Sequence, residues 1–139
     1  MKKFCILLGF LLLTAFMVQA QDQRAGYHDN GKKKWQGNVI DGQKVGEWKY
    51  WHDNGQVQRE GIYKEGKVYG VWKEYWRNGQ VKSEGKYIVH NGESVKHGEW
   101  VYYHKNGAES AKGIFKGGKR SGIWFEYNTL GIQTKKKQY

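Results

Sequence analysis

Gly46 to Gly55 reads GEWKYWHDNG, Gly70 to Gly79 reads GVWKEYWRNG, and Gly98 to Gly107 reads GEWVYYHKNG. Self-similarity at a fixed period outranks any single motif as evidence of fold. Trp48, Trp72, Trp100 and Trp124 advance in steps of 24, 28 and 24 residues, and Gly46, Gly70, Gly98 and Gly122 keep the same steps. Three residues after each tryptophan stands Trp51, Tyr75, Tyr103 or Tyr127. Asn54-Gly55, Asn78-Gly79 and Asn106-Gly107 come next; Asn30-Gly31 starts the series and Leu130-Gly131 is a worn last copy. A second glycine follows each turn (Gly37, Gly61, Gly85, Gly113), and two residues later comes Val39, Tyr63, Tyr87 or Phe115. The long step is four extra residues in KYIVHNGESVKHG, with Asn91-Gly92 at the tip.

Asn-Gly between two apolar-aromatic runs is a strong hairpin signal, because both residues tolerate positive φ. Gly46–His52 and Gln56–Tyr63 are therefore predicted as an antiparallel pair. A second turn, KEGKVYG in one copy and KGGKRSG in another, returns the chain to the next unit. Repetition gives a meander of nine or ten short strands, each paired with its sequence neighbours. A lone hairpin is marginal in water, so the copies must stabilise one another.

The apolar inventory agrees. Residues 21–139 hold nine Val, six Ile, one Leu (Leu130) and no Met, with all seven Trp and all ten Tyr. Beta-branched and aromatic side chains fit a pleated surface. The chain has no proline to interrupt a ladder. Strand alternation puts Trp48, Tyr50, Trp72, Trp76, Trp100, Tyr102 and Trp124 on one face, and Trp51, Tyr75, Tyr103, Tyr127, Val71, Val101 and Phe125 on the other. Neither face reads as clean, so the expectation is an all-β, elongated, mostly single-layer antiparallel meander. Glycines at fixed positions let rings lie over the backbone.

The repeated G-x-W-x-x-(Y/W), N-G and E-G-x-Y pattern resembles the MORN repeat, in the bacterial variant form found in YwqK-type antitoxin components of toxin–antitoxin systems. The resemblance covers about residues 27 to 134. It implies an antiparallel hairpin array and a scaffold linked to protein partners, self-association or acidic lipids. An antitoxin acts inside the producing cell, and here the sequence departs from that pattern. MKK, the apolar run FCILLGFLLLTAFMV and VQA before Gln21 have the form of a signal peptide, and a signal-peptide helix is expected to precede the sheet, with cleavage after Ala20. Cys5 then leaves with it, so neither a disulfide nor a thiolate is available to the remainder. The expected organisation is a signal peptide over 1–20 and one MORN-like domain over 21–139. Its units lie near 27–51, 52–75, 76–103 and 104–127, with a partial unit over 128–139. The expected location is the periplasm or the cell exterior.

Chemistry is sparse. Ser83, Ser94, Ser110 and Ser121 lie outside any G-x-S-x-G setting, and no phosphate-binding glycine loop is present. His28, His52 and His104 recur beside the turn; units contribute two strands each, so these positions sit about 10 Å apart, too far to share a metal. His90 and His97 flank the long turn. Glu60 with Glu84, and Glu47 with Glu99, are repeat positions and not a catalytic pair. The reading is a non-enzymatic scaffold with no cofactor and no metal. Without Lys2 and Lys3, 22 basic side chains face 13 acidic ones, a net charge of +9. Export argues against nucleic acid, leaving a protein partner, anionic lipid or an acidic envelope polymer. Glycan stacking is a weaker alternative. The candidate interaction surface is the aromatic set Trp48, Trp72, Trp100, Trp124, Trp51, Tyr75, Tyr103 and Tyr127, for which packing within the sheet is the competing role. The candidate basic patch is Lys32, Lys33, Lys34, Lys119, Arg120, Lys135, Lys136 and Lys137. Open sheet edges add self-association and β-augmentation.

Overall fold

The computed structural model describes residues 22–139. The expected leader over 1–20 lies outside the described residues. Ten strands follow one another: β1 (Asp22–Tyr27), β2 (Lys33–Ile40), β3 (Gln43–Trp51), β4 (Val57–Lys64), β5 (Lys67–Tyr75), β6 (Val81–His90), β7 (Glu93–Tyr103), β8 (Glu109–Lys116), β9 (Lys119–Tyr127) and β10 (Gln133–Gln138). They form one open antiparallel sheet in sequence order, β1 to β10. The predicted meander is therefore the fold, and the four extra residues lengthen the β6–β7 hairpin.

Two kinds of turn alternate. At Asp41-Gly42, Glu65-Gly66, Asn91-Gly92 and Gly117-Gly118 both residues have positive φ, as a two-residue type I′ hairpin requires. The repeated Asn-Gly turns are built differently. Gly31, Gly55, Gly79 and Gly107 have φ of 78°, 92°, 85° and 88°, but the asparagines before them are not in that region. In each, the glycine N–H donates to a carbonyl three residues back, as Gly55 does to His52 at 2.9 Å. That is a wider turn closed by one left-handed glycine. The expectation that both residues take positive φ thus holds at Asn91-Gly92 and fails at the repeated pairs. There the asparagine serves through its side chain.

The even–odd pairs (β2–β3, β4–β5, β6–β7, β8–β9) each carry a bulge. On β2–β3, Gln36 pairs with Lys49 and Asn38 with Val45, so Gly37 alone faces Gly46, Glu47 and Trp48. Gly46 absorbs the extra length at φ 66°. Two surplus residues preserve the inside–outside alternation while bending the strand.

The two faces differ more than the sequence pattern suggested. On the ring face the buried hydrophobic residues are Trp48, Tyr50, Trp72, Trp100 and Trp124. Trp35, Trp48, Tyr63 and Trp72 form one chain of rings with centroids 5.6, 5.6 and 5.3 Å apart. Tyr87, Trp100, Phe115 and Trp124 continue it at 5.1, 6.1 and 5.1 Å. The opposite face is a ladder of charge. Across β3 to β6 the register sets Lys49, Glu60, Lys73 and Glu84 side by side, with Lys49–Glu60 at 2.8 Å and Lys73–Glu84 at 3.1 Å. A single-layer sheet thereby makes its core from rings laid flat on its own backbone.

Candidate functional site

Each repeat tryptophan lies over the glycine of the preceding strand. A Cβ on Gly37, Gly61, Gly85 or Gly113 would stand 2.2 to 2.4 Å from the indole of Trp48, Trp72, Trp100 or Trp124. Each indole N–H then donates to the carbonyl one residue beyond that glycine: Asn38, Ile62, Lys86 and Ile114, at 3.0 to 3.2 Å. Three of the indoles also carry a cation on the ring. Lys44 sits 4.4 Å over Trp48, Lys96 4.1 Å over Trp100 and Arg120 4.2 Å over Trp124. The four tryptophans keep only 1–4% of their surface. As an interaction surface they are therefore corrected to packing, the competing role, and they offer no open ring for a sugar to stack on.

Trp51, Tyr75, Tyr103 and Tyr127 are half-buried on the ladder face. Tyr75 donates to Glu60 at 2.6 Å and Tyr103 to Glu84 at 2.8 Å. Burial first, then the carboxylate beside each hydroxyl, pushes both phenols up to about 12. The carboxylates move the other way. Glu60 is held below the usual range by its bonds from Lys49 and Tyr75, and Glu84 by its bonds from Tyr103 and Lys73. Strongly paired carboxylates make poor general acids. Lys33 sits 5.3 Å over Trp51, and Lys112 sits 5.5 Å over Tyr127.

The recurring histidines have one task. Nε2 of His28, His52 and His104 meets the carbonyl of Trp51, Tyr75 and Tyr127 at 2.9, 3.1 and 2.9 Å. A carbonyl can only accept, so Nε2 carries the proton. In the third unit Trp76 fills the slot and donates to Tyr103 O at 3.1 Å. The position selects a ring N–H, which is why His and Trp alternate there. The asparagines work beside them. Asn30, Asn54, Asn78 and Asn106 accept from a backbone N–H of their own turn at 3.1 Å. Each donates through Nδ2 to the next turn, at Asp53, Arg77, Lys105 and Thr129, at 2.7 to 2.8 Å. Every even–odd seam thus holds three fastenings: an indole on a glycine, a ring N–H on a carbonyl and an asparagine amide on a turn.

His90 and His97 do not converge. His90 pairs with Glu93 at the hairpin tip, while His97 pairs with Lys86 beyond the intervening Ile88–Val95 rung. Among the described residues no group of three or more His, Cys, Asp or Glu is placed to hold a metal.

The basic residues do not form one patch. Lys32, Lys33 and Lys34 lie at the β1–β2 turn, Lys119 and Arg120 at the start of β9, and Lys135, Lys136 and Lys137 on β10. Seven or eight strand spacings, roughly 35 Å, separate the first group from the others. Positive charge instead concentrates in a trough that composition alone did not locate. Two adjoining hollows of about 370 and 620 Å³ lie at the Asn-Gly turn end and share His52, Gln58, Arg59 and Arg77. Their cations are Lys34, Arg59, Arg77, Lys82 and Lys105, against the carboxylates Asp53 and Glu74. Trp76 forms part of the lining, with Lys82 at 5.1 Å and Lys105 at 5.6 Å from its ring. Arg59 lies 4.2 Å over Tyr50, and Arg77 is paired with Asp53. The register could have shown this trough only once Arg59, Lys82 and Lys105 were known to reach the same end of the ring face.

No curated protein matches the chain in sequence. The MORN repeat variant model matches residues 44–65 and 68–88. Those residues include Trp48, which lies on Gly37 of the strand before them, and Trp72 with its glycine Gly61. The same fastening recurs at Trp100 and Trp124, so the sheet continues the architecture of the two matched stretches beyond them.

Proposed function

We propose that the protein is an exported, non-enzymatic repeat scaffold that holds an acidic segment of a protein partner in the trough between Lys34 and Lys105. The observation that supports this is the division of labour among its side chains. The four repeat tryptophans and the turn asparagines are occupied at the seams, whereas Lys34, Arg59 and Lys105, with Arg77 beside Asp53 and Lys82 beside Glu74, line an open trough. Charge of one sign in a concave site attracts and orients its opposite. The leader motif in residues 1–20 supports export to the envelope. An antitoxin-like role is the case in which that partner is a toxin met in the envelope.

Anionic lipid or envelope polymer is the second reading, favoured by the same excess of charge. A glutamate-rich peptide and phosphatidylglycerol vesicles, each titrated at low and high salt, separate the two. Saturable peptide binding that Lys82→Glu with Lys105→Glu abolishes supports the first. Vesicle binding without peptide binding supports the second. Failure of both probes at low salt overturns the trough as a binding site.

A further inference from the structure

The three fastenings recur at four seams in one direction. On the register the glycine slots pair as Arg24 with Gly37, Trp48 with Gly61, Trp72 with Gly85, Trp100 with Gly113, and Trp124 with Lys137. The first edge strand thus has arginine where every later unit has tryptophan. The last edge strand has lysine where every earlier unit has the glycine that receives a ring. A second copy adding its β1 beside β10 would recreate an even–odd seam, with Arg24 aimed at Lys137.

The other two fastenings are absent from the same edge. In the asparagine slot stands Leu130, 81% exposed, which has no amide to reach a further turn. In the ring N–H slot stands Asn128, whose Oδ1 accepts from Leu130 N and Ile132 N of its own turn at 3.0 Å. Strand β10, exposed throughout, presents Lys135, Lys136 and Lys137 on its open edge, and lysine on an edge strand opposes pairing with another chain.

We infer that Arg24 and Lys137, with Leu130, are paired stops that keep the array from extending head to tail through a second copy, although its seam is otherwise built to be repeated without limit. Such stops run against the expectation of self-association through the edges. A repeat array needs ends that do not accept another unit. A guanidinium, held by Asp22 at 2.9 Å, in place of the ring and an ammonium in place of its glycine slot supply that property without burying either group.

Sedimentation velocity over a hundredfold concentration range tests this on the protein purified as the cell makes it. The wild type stays a single monomeric species. Chains with Lys137→Gly and Leu130→Asn, mixed with chains carrying Arg24→Trp, form a one-to-one dimer that stops there, while each alone stays monomeric. All three changes in one chain give longer assemblies that grow with concentration. Concentration-dependent oligomers of the wild type overturn the inference. So does a mixture that stays monomeric while both partners keep the wild-type indole fluorescence and circular dichroism. The mixing arm uses separately folded chains, so it remains decisive if the triple variant fails to fold.

Discussion

Gly61→Ala isolates the ring-on-glycine fastening. The new Cβ would stand 2.4 Å from Trp72 Cδ2, where about 3.4 Å is ordinary contact, so the indole must withdraw by about 1 Å. Trp72 is 4% exposed and packed against Tyr63, so it cannot withdraw without opening its neighbours. Overpacking of this kind costs about 1–3 kcal/mol. Losing the indole bond to Ile62 O at 3.0 Å adds about 1 kcal/mol. The expected loss is about 2–4 kcal/mol. Gly70→Ala is the matched control. Nothing lies within 4 Å of its Cβ, and only its φ of 71° penalises alanine, by about 1–2 kcal/mol. Urea denaturation of Gly61→Ala, Gly70→Ala, Trp72→Leu and the Gly61→Ala/Trp72→Leu pair supplies the numbers. A smaller side chain at 72 makes room for the methyl, so the double variant should lose less than the sum of the singles, by about 1 kcal/mol or more. The reasoning fails if Gly61→Ala costs no more than Gly70→Ala, or if the pair is additive.

Asn54→Asp keeps the acceptor for Gln56 N and removes the donor to Arg77 O; it should lower stability by about 1 kcal/mol, while Asn54→Ala loses both bonds and more. His52→Gln should weaken the same seam and His52→Trp should be tolerated, since Trp76 fills that slot in the next unit; thermal denaturation ranks the two. Tyr75 and Tyr103 hold their protons up to about 12. A raised folded pKa contributes stability that is complete below the ordinary value of 10.0 and declines as pH rises from there toward 12, so alkaline melting should be shallower in Tyr75→Phe. Glu60 and Glu84, held below 4.5, act in the opposite direction. Their contribution is present above pH 4.5 and is lost as pH falls through their folded values, which acid melts of Glu60→Gln should show as a reduced slope.

Much of the fold was legible because the repeat writes both turns and both strands at fixed offsets. Trp48, Trp72, Trp100 and Trp124 mark one edge of each unit, and Gly37, Gly61, Gly85 and Gly113 mark the slot that receives it. The pairing of tryptophan with the preceding glycine was not legible. Eleven residues separate Gly61 from Trp72, but only the bulge at Gly70 brings the indole back over it. Alternation alone made both faces look equally aromatic, since it cannot show that one set of rings lies flat and the other stands beside Glu60 and Glu84. The asparagine role was misread for a similar reason. A dipeptide signals a turn, but not whether the asparagine backbone or its amide is what the turn uses. The basic trough depends on Arg59, Lys82 and Lys105 arriving from separate units, which no local window contains.

The two kinds of seam divide the work by chemistry. Indole burial and neutral hydrogen bonds supply the repeated fastenings of the even–odd seams; the exposed Arg77–Asp53 pair is added at the β4–β5 seam, and Tyr75–Glu60 and Tyr103–Glu84 add a carboxylate acceptor at β4–β5 and β6–β7. The odd–even seams close at the Asn-Gly turns and carry the pairs Lys49–Glu60 and Lys73–Glu84 at partly exposed positions, where added salt screens the attraction. The cooperative block is therefore not the Asn-Gly hairpin that the sequence announces but the tight hairpin that follows it, β2–β3, β4–β5, β6–β7 and β8–β9. Opening should begin between these blocks, and first at β10, which is exposed throughout and lies outside all four. A partner held from Lys34 to Lys105 spans β2–β3, β4–β5 and β6–β7, so it bridges two of the salt-sensitive seams between them. Its binding should stiffen the sheet where the sheet's own fastenings are weakest.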